Sequence, residues 1–167
     1  MSDLDFVLYD TAVFSNAATD TLLFQVAQGA DATHTEQWTN AFFAGALPAN
    51  VSFEIERIVV FPDYAVPDAD VSKIWQNSFM EIKVNDLTMW KSPLAMLAGS
   101  AAFGGTDTTT AAANANHVGL SGTGYQLTRP ILLPEGTPFK VRMVQTIALA
   151  AANSWVKVCL DGTLHRP

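Results

Sequence analysis

"VSFEIERIVVF", residues 51–61, decides the fold class, because apolar and polar residues alternate along it. Phe53 and Ile55 lie on one face of the pattern, and Glu54 and Glu56 lie on the other. A β-strand has this period of two, since successive side chains point to opposite faces of a sheet. The stretch therefore predicts a strand with one buried face.

Arg57 interrupts the pattern in the middle of this stretch. Val59 and Phe61 continue the face of Phe53, while Ile58 and Val60 make the second face apolar as well. A strand that is apolar on both faces is typical of a position covered on both sides. We therefore expect this strand to begin half exposed and to end apolar on both sides.

The same alternation indicates further strands along the chain. They lie at 4–8, 22–26, 80–84, 124–133, 139–149 and 155–160, with weaker candidates at 37–44 and 87–91. In the strand at 22–26, Leu22 and Phe24 are predicted to share one face. Pro130 has no N–H to donate to a ladder, so it marks an edge or a bulge in its strand. The segment 11–20 is predicted to be a loop.

Turn-forming residues separate these strands, and no alternation of strands with long helices occurs, so we expect an antiparallel sheet architecture. We predict one domain, 1–167, that is an all-β, eight-stranded antiparallel jelly-roll sandwich. One short helix is expected, with Ser92 as N-cap, Pro93 at its first position and Gly99 at its end. The Gly, Ala, Thr and Asn residues of 99–124 predict a long surface loop.

Charged residues make up only 15% of the chain, against about 25% in a typical protein. The net charge is −7, which argues against direct binding to nucleic acid or to anionic lipid. Hydrophobic residues make up 49%. We infer that part of the surface is covered by other subunits.

No catalytic, cofactor-binding or metal-binding residue is predicted. His34, His117 and His165 have no metal-ligand spacing between them, and Cys159 reads as a packed thiol. The segment "PEGTPF" is similar to the second motif of the metal-binding cupins, but Phe139 stands where their histidine ligand should be. The sequence therefore predicts that the chain is not an enzyme.

One acidic loop leaves a question open. Asp63, Asp68 and Asp70 in "FPDYAVPDAD" have carboxylate oxygens of the kind that bind Ca²⁺. The alternative is that these aspartates cap turns.

Several aromatic residues lie outside the best alternating strands. They are Trp38, Phe42, Phe43, Trp75, Trp90 and Phe103. Aromatic side chains contribute most of the binding energy of protein interfaces, so these residues are candidate subunit contacts, with Phe42 and Phe43 as the first choice. Two other uses remain open: the rings could close the ends of the sandwich or form a platform for sugars.

A family resemblance covers most of the chain. The segments "TLLFQV", "TNAFFAGALP", "FEIERIVVF" and "YQLTRPILLPEGTPFKVRM" occur in an order that resembles the single-jelly-roll major capsid proteins of tailless icosahedral phages with an internal membrane, of the Thermus phage type. The resemblance implies an upright jelly roll that forms capsomers, with no catalytic residues. It also implies a coat that does not touch the genome, which lies inside the membrane.

We therefore expect a structural coat protein that self-assembles into an icosahedral shell. A second capsid protein and an internal viral membrane are its other expected partners, and no cofactor is expected. The start "MSDLDFVLYD" has no basic stretch and no long apolar core, so no signal peptide is expected. The resemblance implies assembly in the host cytoplasm and residence in the virion. The alternative is a carbohydrate-binding or receptor-binding β-sandwich, such as a phage spike or fibre domain.

Overall fold

The computed structural model describes residues 2–63, 66–97, 124–151 and 153–166, and within them eight strands form two antiparallel sheets. The strands are β1 (Ser2–Phe14), β2 (Thr19–Leu23), β3 (Ser52–Pro62), β4 (Ser78–Val84), β5 (Leu87–Pro93), β6 (Tyr125–Leu133), β7 (Phe139–Gln145) and β8 (Ser154–Arg166). A helix, α1 (Asp68–Asn77), lies between β3 and β4, and a 3₁₀ turn, Leu94–Met96, follows β5.

The two sheets have four strands each. One, the β1 sheet, has the order β1-β8-β3-β6, and the other, the β2 sheet, has the order β2-β7-β4-β5. Within them β1 pairs with β8, β2 with β7, β3 with β6 and β4 with β5, always antiparallel. One cluster of buried apolar residues receives side chains from both sheets. The predicted all-β sandwich is thereby confirmed.

The strands β7 and β8 bury the faces that their alternation predicts. In β7 the side chains of Phe139, Val141 and Met143 are buried. In β8 the core-facing side chains are buried as well. The predicted strand at 139–149 was too long, however. It ends at Gln145, so Ile147 is exposed while Leu149 is buried in the irregular segment that follows.

A β-bulge in β3 corrects the expectation for residues 57–61. The register of β3 against both β6 and β8 shifts between Ile55 and Arg57. A bulge adds one residue, so it exchanges the two faces of the strand beyond it. Ile58 and Val60 therefore point into the core, and Phe61 is exposed. The expectation that Phe61 shares the face of Phe53 was wrong.

The N-terminal third of the chain differs most from the sequence prediction. The predicted loop begins inside β1, which continues to Phe14. In β2 the predicted face was wrong, because Leu22 is exposed and Phe24 leaves the strand with φ of 61°. Phe24 donates its N–H to the buried carboxylate of Asp10 there. Burial raises the pKa of Asp10 despite this bond.

The weak strand predicted at 37–44 is not a strand but a cover for the free edge of β1. The side chain of Asn40 accepts a bond from the Tyr9 N–H at 2.7 Å and donates to the Val7 carbonyl at 2.7 Å. The Thr39 hydroxyl donates to the Tyr9 carbonyl. These bonds satisfy backbone groups that an edge strand leaves open to other chains.

The short helix predicted at 92–99 was misplaced. Ser92 and Pro93 belong to β5, and the residues described after them, up to Leu97, contain the 3₁₀ turn and no α-helix. Gly99 lies outside the described residues, as does the predicted loop at 99–124 apart from Gly124. The principal helix is instead α1, whose Val71, Ile74 and Trp75 are buried. No helix in the described ranges is long and apolar enough to span a membrane.

The strand β6 lies at the edge of its sheet, as Pro130 predicts. Its register against β3 is irregular between Gln126 and Ile131, which is where Pro130 lies. The residue before β6, Gly124, has φ of 69°, and a Cβ there would lie 2.6 Å from the Val59 side chain. Only glycine fits at such a position.

Candidate functional site

The outward face of the β1 sheet has an apolar end. Its register sets Val13 opposite Trp155 and sets Phe61 opposite Lys157 in the next row. The side chains of Val13, Phe61 and Trp155 are 37%, 42% and 41% exposed. Trp38 packs edge-on against Trp155, with 4.8 Å between the ring centroids. We name Val13, Trp38, Phe61 and Trp155 the tryptophan patch.

Three elements hold the tryptophan patch in place. Alternation along β1 and β8 turns Val13 and Trp155 outward, and the bulge in β3 does the same for Phe61. The Thr11 hydroxyl donates to the carbonyl of Trp38 at 2.7 Å, which ties that residue to β1. The position of Phe61 could not be read from alternation, and its one signal in the sequence was the interruption at Arg57.

The opposite end of the same face is charged. Arg57 forms an ion pair with Asp161, and the Nδ1 atom of His165 lies 2.7 Å from the Asp3 carboxylate. Glu54 lies 3.6 Å from the other nitrogen of His165. The hydrogen bond that the His165 ring donates to the Asp3 carboxylate is the main cause that raises the pKa of His165.

A network of ion pairs lies on the outward face of the β2 sheet. Arg142 binds Asp20 at 2.6 Å and reaches Glu81 at 3.5 Å, and Lys83 also lies 3.5 Å from Glu81. The Arg142 bond holds the pKa of Asp20 below its ordinary value. Burial acts to raise the pKa of Glu81, but its bonds to Thr88 and the two cations outweigh that effect. The outward face of the β2 sheet therefore carries a charged network, with Leu22 exposed opposite Arg142.

The aromatic residues predicted as subunit contacts differ in their burial. Phe42 is exposed, but Phe43 is buried in the core, so its assignment as a subunit contact was wrong. Trp75 is also buried, on α1. Trp90 is partly buried and lies 5.8 Å from the Tyr125 ring. Phe103 lies outside the described residues.

The acidic loop has a structural use for at least one carboxylate. Asp70 is fully buried and accepts hydrogen bonds from the N–H groups of Ala150 and Ala151, and from Lys73. Burial acts to raise the pKa of Asp70, but these bonds together hold it below its ordinary value. No group of three metal-ligating side chains exists among the described residues, which do not include the side chain of Asp68.

The other titratable candidates lie apart from one another. His34 pairs with Asp31 at 2.7 Å in the loop after β2, and His117 lies outside the described residues. Burial raises the pKa of Cys159 to about 11, so this thiol is protonated at neutral pH. A protonated thiol packs as an apolar group and is a poor nucleophile.

No protein-family model matches this chain, and a search of curated proteins gives no match either.

Proposed function

We propose that this chain is a structural coat protein that self-assembles into the capsomers of an icosahedral shell. The pairing of β1 with β8, β2 with β7, β3 with β6 and β4 with β5 supports the jelly-roll part of the proposal. This is the pairing of one long hairpin rolled into two sheets, and an eight-stranded double sheet is common in viral capsids.

The tryptophan patch carries the proposal. Three apolar side chains there are about 40% exposed on one sheet face, and two of the four are tryptophans. Clustered exposed aromatic residues mark protein contacts, because they bury a large apolar area with little loss of rotamer freedom. A second copy of this chain is the partner that we propose for the patch.

The contrast between the sheets supports a directed contact. The β2 sheet carries the Asp20–Arg142–Glu81 network, whereas the apolar end of the β1 sheet carries one basic residue, Lys157. The Lys157 amine donates to the carbonyl of Gln37 at 2.7 Å. We propose that the apolar end of the β1 sheet faces neighbouring subunits and that the β2 sheet faces water.

The net charge of −7 supports a coat that makes no direct contact with nucleic acid. The family resemblance adds a second capsid protein and an internal viral membrane as partners. It also adds assembly in the host cytoplasm, with the virion as the final location.

The test replaces patch residues and measures the assembled mass. We expect Phe61→Ser and Trp155→Ser to lower the mass measured by multi-angle light scattering, because each removes an apolar anchor. Leu22→Ser is the matched control, since Leu22 is 48% exposed on the β2 sheet. Circular dichroism establishes that each variant is folded.

Two results would contradict the proposal. One is a wild-type chain that stays monomeric at every concentration tested. The other is a pair of patch variants that assemble as fully as the wild type and the Leu22→Ser control.

A further inference from the structure

A groove opens between β5 and β6, at the edges of the two sheets. Its volume is about 330 Å³, and its lining includes Met89 and Trp90 from β5 and Tyr125, Leu127, Arg129 and Ile131 from β6. Neither strand has a described neighbour on its free side. The groove is on a different part of the molecule from the tryptophan patch.

The floor of the groove is apolar and aromatic. Leu127 and Ile131 are buried and belong to the core cluster, and Trp90 and Tyr125 pack against that cluster. The rings of Trp90 and Tyr125 lie at 51° to each other. Met89 is 47% exposed, so the groove is open to water on one side.

Arg129 gives the groove its chemistry. Its side chain is exposed and has no ion pair, hydrogen bond or ring contact with any described residue. By contrast, Arg57 and Arg142 bind carboxylates within the chain. A guanidinium group presents its N–H donors as a rigid fork that matches a carboxylate. Arg129 is therefore free to bind an anion at the groove.

Two hydroxyl groups accompany Arg129. Thr128 and Tyr125 are among the residues that line the groove, and neither hydroxyl makes a hydrogen bond to another described residue. A mostly apolar lining with a few converging polar groups is typical of small-molecule sites, which measure about 300–1,000 Å³. A groove of about 330 Å³ is at the small end of that range.

We propose that this groove binds a carboxylated sugar. The C–H groups on one face of the sugar ring pack on the π-faces of Trp90 and Tyr125, and the carboxylate pairs with Arg129. Thr128 also lines the groove and is the proposed partner of a sugar hydroxyl. An open groove suits a sugar better than a fatty acid, because a sugar keeps hydroxyl groups in water. The inference does not depend on the proposed assembly.

The test compares D-glucuronic acid with D-glucose by saturation-transfer NMR on the full chain, a method that works for monomers and for assemblies. We expect glucuronic acid to receive saturation from the protein and glucose to receive much less, since glucose lacks the carboxylate. D-glucose 6-sulfate tests whether the anion must be a carboxylate. Equal or stronger binding of the sulfate would contradict the proposed ligand class.

Variants locate the binding. Arg129→Gln is expected to weaken glucuronic acid binding at least about tenfold, which is the loss of one charged hydrogen-bonding partner. Arg166→Gln removes the same charge from the end of β8, outside the groove, and should leave binding unchanged. Equal effects of the two variants, or saturation of neither sugar by the wild type, would overturn the proposal.

Discussion

Asp70 joins two distant parts of the chain through one buried carboxylate. Asp70→Asn replaces an oxygen acceptor with an amide donor, which then faces the N–H groups of Ala150 and Ala151. We expect the free energy of unfolding to fall by about 1.5–3 kcal/mol, the usual value of hydrogen bonds to a charged group. Urea denaturation at neutral pH measures it.

The control for Asp70 is Asp86→Asn. Asp86 pairs with Lys140 at 2.9 Å on the surface, where its side chain is 81% exposed, so little change is expected. The folded-state pKa of Asp70 is lowered from 3.8, so its contribution is full above that pH and is lost as pH falls through the folded value. The difference in free energy of unfolding between the wild type and Asp70→Asn should therefore become smaller in acid. A constant difference would contradict the role given to this carboxylate.

His165 gives a prediction of opposite sign with pH. The pKa of His165 is raised from 6.5, chiefly by the hydrogen bond with Asp3. The protonated ring therefore stabilises the folded state fully below pH 6.5, and this contribution is lost as the pH rises through the folded-state pKa. We expect Asp3→Asn to lower the pKa of His165 in an NMR titration. Asp5→Asn is the control, because Asp5 lies opposite Thr163. Equal shifts in both variants would argue against a specific Asp3 bond.

Among the elements, β3 approaches β8 closely at Gly162. This residue lies opposite Ile55, next to the bulge, and a Cβ there would be 1.9 Å from the carbonyl oxygen of Glu54. Gly162→Ala must push the two strands apart, so we expect a loss of about 3 kcal/mol on denaturation, the upper end of the usual overpacking cost. The measured quantity is the free energy of unfolding.

The comparison for Gly162 is Gly136→Ala. Gly136 has φ of 62°, and a Cβ added there would meet no atom within 4 Å beyond its chain neighbours. That substitution therefore costs only the left-handed backbone penalty of about 1 kcal/mol. If the two substitutions destabilise the protein equally, the close approach at the bulge has no energetic consequence.

For the secondary-structure elements, the sequence predicts regular strands better than it predicts bulges and helix starts. Alternation placed Phe139, Val141 and Met143 in the core, because nothing breaks the period of β7. It failed for Phe61, since one inserted residue exchanges the two faces of a strand. The helix α1 was missed because Pro67 and Asp68 read as a turn, although Val71, Ile74 and Trp75 have helical spacing.

For the whole molecule, the nature of the assembly contact can be tested with salt. An apolar contact at the tryptophan patch should persist as NaCl rises from about 0.01 M to about 1 M, over which the screening length falls from about 30 Å to about 3 Å. Ammonium sulfate should increase the assembled mass, because it strengthens apolar burial. Light scattering measures both effects. Dissociation in NaCl would indicate a contact based on charge instead.

Composition and alternation could not predict the order of the strands within the sheets. Those patterns describe each strand locally, whereas pairing joins residues as distant as Ser2 and Arg166. The groove was missed for the same reason: Trp90 and Tyr125 meet only because β5 and β6 end at neighbouring sheet edges. Low charge is a property of the whole chain, and only the register shows which side chains gather at one end of a face.

The position of β8 between β1 and β3 has a consequence for biosynthesis. A ribosome makes residues 154–166 after every other described strand, so the nascent chain holds two strands whose shared neighbour does not yet exist. Their unpaired backbones are open to other nascent chains during that interval. Chaperone binding before this last strand emerges would shield them, and a chain that stalls short of it would lack the middle of a sheet.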